Sequence, residues 1–263
     1  MLLSYHVHSK WSDGKSTLLE IVSQAKKLNL DEVGISDHLT LSPYQKELKW
    51  SMPLENLDPY ILEVEKFSKN FPVKLGLEAD FFPETVDELK KIVASRPFDY
   101  IIGSVHFVGD KQVDFKKENV SQNEFNELTR NYWELIRQMA KTRVFDIVGH
   151  MDLTKEYGLC PDCDLSKEID LALDAISEAD MCVELNTSGW YRPCQQQYPS
   201  VELLKGCRSR DIPVIVSADA HLFENLTRDF EKAYLLLKNL GFTKQPYYIK
   251  RKRFFSSFPS FSY

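Results

Sequence analysis

Seven short apolar runs alternate with amphipathic helical patterns from one end of this chain to the other. The runs are 2–7, 32–36, 73–79, 100–104, 144–149, 182–186 and 213–217. Most lack polar alternation, as strands do when both faces of a parallel sheet are covered. Strict β-α alternation means parallel strands joined by crossover helices, so the fold class is α/β. In the first helical stretch, Leu18, Ile21, Val22, Ala25 and Leu28 recur at helical spacing, and Thr17 with Glu20 reads as a capping box. The longest helix, over 122–141, carries Phe125, Leu128, Tyr132, Leu135, Ile136 and Met139 on one side. The last repeats the pattern with Leu226, Phe230, Ala233, Leu237 and Leu240, closed by Gly241. Seven such units can close into a barrel or lie as an open, doubly wound sheet. The pattern alone does not choose between them.

A chain of 263 residues with 43% apolar content can build one large core, and a single domain over 1–263 is expected. There is no apolar run of about 18 residues, and the first residues lack the pattern of a signal peptide, so no membrane association is expected. Five cysteines, an odd number, argue against a disulfide framework. A cytoplasmic protein is expected. The net charge of -6 disfavours nucleic acid as a partner, because phosphate contacts need a basic surface. The one basic cluster, 250–253, reads as a solvated tail or a charged edge strand. The Cys160-Pro161-Asp162-Cys163 stretch reads as an incidental loop, since no second pair accompanies it. Oligomeric state is not legible.

Only six histidines occur, His6, His8, His38, His106, His150 and His221, and each lies within a few residues of the C-terminal end of an expected strand. In barrels such ends converge on one mouth, where active sites are built. Glu78 and Asp219 end strands at the same level, and Asp13 follows the His-x-His turn. Neutral imidazoles with carboxylates are ligands for Zn, Mn or Fe. His6 and His8 are two apart, so both project to one face of an extended segment and can share an ion. Glu78 has two oxygens and can bridge two ions. Asp37 and Asp152 read as partners that orient a ligand imidazole.

About three divalent ions held this way would keep the site positive inside an acidic protein, which suits a small phosphorylated substrate. The ions would bind substrate oxygens and lower the pKa of a bridging water, whose hydroxide attacks phosphorus. Strand six runs into Thr187-Ser188-Gly189-Trp190-Tyr191-Arg192, a loop free to handle substrate. Arg192 is a candidate phosphate clamp, because a guanidinium grips two phosphate oxygens at once. Phe81 and Trp190 are candidates to line the pocket, and His38 is a candidate proton donor to the leaving group as well as a ligand.

Taken in order, His6-Val7-His8, Ser36-Asp37-His38, Glu78, Gly103-Ser104-Val105-His106, Gly149-His150 and Ser217-Ala218-Asp219-Ala220-His221 resemble the PHP (polymerase and histidinol phosphatase) family over almost the full chain. Gly76-Leu77-Glu78, the stretch from Asp99 to Phe107, Glu184 to Gly189, and Arg192-Pro193 followed by Tyr198-Pro199-Ser200 resemble its histidinol-phosphatase branch. The resemblance implies a distorted (β/α)7 barrel, similar to a TIM barrel, with a trinuclear metal site at the C-terminal strand ends. By position, one ion would be held by His6, His8, Glu78 and Asp219. A second would share Glu78 and take His106 and His150, and a third would take His38, His221 and Asp13. The resemblance also implies that Arg192 binds the substrate phosphate, and that the reaction is hydrolysis of L-histidinol phosphate in histidine biosynthesis. The alternative is the same chemistry on another small phosphate ester or a nucleotide. A related amidohydrolase would place a modified lysine where Glu78 stands, and the nearest lysine, Lys74, lies mid-strand.

Overall fold

The computed structural model describes residues 1–44, 48–114 and 120–261, and in it each apolar run contributes a parallel strand. The barrel strands are β1 (Leu3–Ser4), β2 (Glu32–Ile35), β3 (His38–Leu39), β4 (Val73–Leu75), β5 (Glu78–Asp80) and β6 (Ile102–Ser104). After a short hairpin of β7 (Phe107–Val108) and β8 (Lys111–Gln112) come β9 (Ile147–Val148), β10 (Cys182–Asn186) and β11 (Val214–Ser217). One parallel sheet has the order β1-β2-β4 and the other β11-β10-β9-β6-β5-β3. On one side, run 73–79 passes from β4 in the first sheet to β5 in the second. On the other, Val7 forms a parallel bridge with Ala220. There the His8 N–H donates to the Ala220 carbonyl at 2.9 Å and the Ala220 N–H to the His6 carbonyl at 3.0 Å. The result is a distorted β/α barrel of seven units, with β2–β3 and β4–β5 each forming one broken strand.

The Tyr100 ring lies against Gly34 and Gly76, and a Cβ at either position would collide with it. Its hydroxyl donates to the Tyr5 carbonyl. Glycine at both positions lets a large ring cross two strands at the base of the barrel. Tyr100 belongs to a buried group with Leu3, Tyr5, Ile102, Ile147, Cys182, Ile215 and Tyr248, drawn largely from the beginnings of the strands. The base is therefore apolar, and the opposite end is left for polar groups.

The helices are α1 (Leu18–Lys27), α2 (Leu57–Ser68), α3 (Val86–Ala94), α4 (Gln122–Thr142), α5 (Ser166–Glu178), α6 (Val201–Ser209) and α7 (Phe230–Asn239). Their apolar stripes join the strands in the main core. Full burial of a Leu or Ile side chain contributes roughly 1.5–3 kcal/mol, so the stripes fix the helix faces. The expected capping box of α1 is present, with the Thr17 side chain accepting from Glu20 N–H and Glu20 reaching back. Helix α4 carries a second one, Ser121 with Glu124, and closes on left-handed Arg143. Helix α7 starts at Phe230, so Leu226 lies in the turn before it; Gly241 (φ 86°) ends the segment as expected.

Outside the seven expected units lies the antiparallel hairpin β12 (Lys244–Ile249) and β13 (Lys252–Ser257). It sends Tyr248 into the base of the barrel. The basic cluster 250–253 is thus the hairpin turn and the start of β13, which bears out the edge-strand alternative and not the tail. Its arginines are engaged, Arg251 with Asp146 at 2.5 Å and Arg253 with Asp180. Among the described residues, no helix is long and apolar enough to cross a membrane. All five cysteines are free.

Candidate metal centre

Strand register delivers the cluster. His38 on β3 pairs with Glu78 on β5, and Glu78 pairs in turn with Ile102 on β6. Glu78 therefore stands between β3 and β6. The bridge between Val7 and Ala220 places the His6-Val7-His8 segment beside Asp219, which adopts φ 50°. Aspartate tolerates that left-handed conformation better than most residues, and it turns the carboxylate into the mouth.

The two oxygens of Glu78 face different sets of imidazoles. Oε2 lies 2.9 Å from His38 Nδ1, 3.0 Å from His6 Nε2 and 3.4 Å from His8 Nε2. Oε1 lies 2.9 Å from His150 Nε2 and 3.7 Å from His106 Nε2, and it accepts from the Ser104 hydroxyl at 2.6 Å. Asp219 Oδ1 is 3.2 Å from His8, 3.4 Å from His221 and 3.7 Å from His6. Asp13 Oδ1 is 3.3 Å from His221 Nε2 and 3.8 Å from His38 Nε2. All nine residues expected as ligands from the sequence are brought together.

The combinations close enough to share one ion are His8, Asp13, His38 and His221; His6, His150 and Asp219; His6, His8 and Glu78; and His38, Glu78 and His106. The first contains the His38, His221 and Asp13 set with His8 added. The set of His6, His8 and Glu78 lies within the first ion's expected ligands, and the remaining two place His150 with His6 and Asp219 and His106 with His38 and Glu78 rather than together. Among the described residues, His6 Nε2, both ring nitrogens of His8, His38 Nδ1, Glu78 Oε2 and Asp13 Oδ1 are buried without a hydrogen-bond partner. Such orphans are costly alone, and together they converge on one space. An N/O donor set of this kind fits divalent ions such as Zn, Mn or Fe.

Proton balance points the same way. His8 is pushed down to about 3 by burial and by the neighbouring His38 and His221, so it is neutral and free to donate a lone pair. Burial would lower His6 as well, but the Glu184, Glu78 and Asp219 carboxylates hold it well above its ordinary value. Burial likewise opposes charge on His106, and Asp80 carries it up to about 10. Without ions, protons do part of the charge neutralisation that cations would otherwise provide. Glu78 and Asp219 are held well below the usual carboxylate range: burial would raise both, and the surrounding imidazoles overcome it.

The carboxylates that orient imidazoles are not the expected ones. Glu184 Oε1 lies 2.6 Å from His6 Nδ1, and its Oε2 accepts the His150 N–H at 2.7 Å. Asp80 Oδ1 lies 2.9 Å from His106 Nδ1. Asp37 instead accepts from Ser9 N–H (2.8 Å), the Ser9 hydroxyl (2.7 Å) and the Ser12 hydroxyl (2.6 Å), pinning the loop that carries Asp13. Asp152 takes Lys155 at 2.8 Å and the Ser200 N–H at 2.9 Å. Two signals were available in the sequence. Glu184 is the one charge inside a fully buried strand, and Asp80 is two residues from Glu78, on the same face of β5.

Beside the cluster lies a cleft of about 240 Å³, walled by Trp50, Leu153, Glu156, Ser188, Arg192 and Tyr198 among others. Arg192 is half-exposed and 3.5 Å from Glu156. Trp50 packs edge-on to His38, with ring centres 4.8 Å apart. The other two expected pocket residues lie elsewhere. Phe81 is in the core with its ring against Phe145, and Trp190 sits beneath Lys232 with its indole N–H donated to Gln197. Neither is among the residues lining the cleft, because the 188–191 turn directs Trp190 away from it. Both ring nitrogens of His38 face carboxylates of the cluster, an arrangement that suits a ligand more than a proton donor.

Residues 4–188 match the family model of the PHP domain. A protein of Deinococcus radiodurans named probable histidinol-phosphatase is 33% identical over 248 residues, spanning 91% of this chain and 94% of that one. The histidinol-phosphatase of Lactococcus lactis is 26% identical over 91% of both chains. Among solved structures, the crystal structure of histidinol phosphate phosphatase from Lactococcus lactis, complexed with zinc, L-histidinol and phosphate, has a TM-score of 0.79 at 23% identity. It covers 96% of this chain and 98% of its own, and the likeness extends to the whole barrel.

Proposed function

The chain belongs to the PHP domain family, and from that premise we propose that it is a metal-dependent phosphomonoesterase hydrolysing L-histidinol phosphate to L-histidinol and phosphate. The observation that carries this reading is Glu78, a buried carboxylate whose two oxygens each face imidazoles of the cluster. The names of its relatives supply the substrate. The reading makes residues 1–263 one catalytic unit acting in histidine biosynthesis in the cytoplasm, on a small phosphorylated substrate rather than on nucleic acid.

The proposed ligands are His6, His8, Asp13, His38, Glu78, His106, His150, Asp219 and His221, holding about three ions of Zn, Mn or Fe. When bound, such ions would supply Lewis acidity and would lower the pKa of a water enough to make it a nucleophile near neutral pH. The chain does the positioning. Glu184 and Asp80 each engage an Nδ1, which leaves the Nε2 lone pairs of His6 and His106 directed into the cluster. Arg192, at the edge of the cleft, takes phosphate oxygens and offsets charge that builds on them. Leu153 and Trp50 wall the part of the cleft available to the organic half of the substrate.

The test is phosphate release from L-histidinol phosphate beside a panel of phosphomonoesters, with metal-loaded and chelated protein. Selective, chelator-sensitive hydrolysis of histidinol phosphate is expected. Metal-dependent hydrolysis of other esters alone would retain the chemistry and discard the substrate, and no hydrolysis by loaded protein would discard both.

A further inference from the structure

The cleft holds a carboxylate that the metal cluster does not use. Glu156 lines it with only 8% of its side chain exposed. Among the described residues its one ion-pair partner is Arg192, at 3.5 Å, and its carboxylate accepts no hydrogen bond from any of them. Burial pushes its pKa up, against the pull of Arg192. A buried carboxylate held this loosely is poorly compensated by the described residues. Its position is nevertheless fixed, because the Cys194 N–H donates to the Glu156 carbonyl at 2.9 Å and ties it to the loop carrying Arg192. The adjacent Lys155 is turned away, bonded to Asp152 and to the Gln197 carbonyl. Asp114 lines the same cleft and adds a second negative charge.

Arg192 and Glu156 thus present a positive and a negative group side by side. A phosphate ester with an ammonium group on the carbon next to its ester carbon presents the opposite charges in the same close spacing. We propose that Glu156 is the specificity residue of this cleft and receives the substrate's ammonium while Arg192 receives its phosphate. The substrate class is then a 2-ammonioalkyl phosphate. This rests on the phosphatase reading above and narrows it: the enzyme selects for a vicinal amine and not only for a phosphate.

The experiment compares kcat/KM for L-histidinol phosphate and for its deamino analogue, 3-(imidazol-4-yl)propyl phosphate, in wild-type protein and in Glu156→Gln. Loss of a charge-assisted contact in a partly buried site corresponds to about tenfold or more. Wild-type protein should favour the amine-bearing ester by that factor, and the ratio should collapse toward one in Glu156→Gln. A wild-type ratio near one overturns the proposal. So does a ratio that survives in the variant, including the case in which both substrates lose equally, which would make Glu156 only a support for Arg192. If wild-type protein releases phosphate from other esters but not from histidinol phosphate, the substrate reading fails, and 2-aminoethyl phosphate against ethyl phosphate becomes the pair. An amine preference there, lost in Glu156→Gln, would sustain the subsite without the substrate, and no preference would overturn it.

Discussion

Glu184 lies 2.6 Å from His6 Nδ1, while the other nitrogen of that ring faces Glu78 at 3.0 Å. The imidazole is held between two carboxylates, and in the proposed metal site Glu184 would orient it while Glu78 would share an ion with it. Glu184 accepts in addition from the His150 N–H, Asn186 and the Ser217 hydroxyl, so one buried side chain ties together the ends of three strands.

Glu184→Gln should therefore weaken metal binding without removing a proposed ligand. A loss of about 10- to 100-fold in affinity is expected, the range for partners that orient a metal-bound histidine. Competition with a chromogenic chelator measures it. Unchanged affinity would mean that His6 needs no orienting partner.

Arg192→Ala should raise KM for a phosphomonoester and lower turnover, with the full complement of ions retained. Among the described residues the arginine's ion pair is with Glu156 and not with a proposed ligand. Kinetics alongside elemental analysis of the same preparation checks both halves, and metal loss in this variant would contradict the assigned role.

Metal removal should have a pH signature. Burial opposes charge on His106 and His221, yet Asp80 lifts the first to about 10, and Asp13 with Asp219 lifts the second to about 9, from an ordinary 6.5. Folded values above the unfolded one give the metal-free protein stability that is full below pH 6.5 and is lost as pH rises through 9 to 10. A metal ion competes with the same protons, so its binding tightens over the same window. The gap in thermal midpoint between loaded and stripped protein should widen as pH is raised from about 6.5 toward 9. Scanning calorimetry across the window tests this, and a constant gap would show that ions and protons do not compete.

Gly76→Ala should destabilise the barrel by roughly 1–3 kcal/mol or more, since the added methyl meets the buried Tyr100 ring and overpacks the base. Urea unfolding followed by circular dichroism reads the loss. Gly109→Ala, where no atom lies near the added methyl, separates the steric effect from the backbone one, because only its positive φ would be strained.

Much of this protein was legible in order along the chain. Periodicity located the strands, and run 182–186 matches β10 residue for residue. The capping box at Thr17 and Glu20 marked the start of α1. The histidines stood out because strand ends are local features, and a parallel barrel must bring equivalent ends to one mouth. The C-terminal hairpin was not legible, because its strands are neither uniformly apolar nor cleanly alternating, and their partner is each other rather than the barrel.

The chain itself determined which residue types recur at the strand ends, and hence that a metal-suited donor set would form. Tertiary structure alone decided which imidazole faces which carboxylate oxygen, because that depends on register across strands far apart in sequence. It made Glu184 and Asp80 the orienting groups and sent Asp37 to a loop, although Asp80 and Asp37 are both acidic residues at or beside strand ends. It buried Phe81, turned Trp190 outward and set Glu156 against Arg192. Those outcomes follow from side-chain direction and from contacts between distant segments, which local composition does not encode.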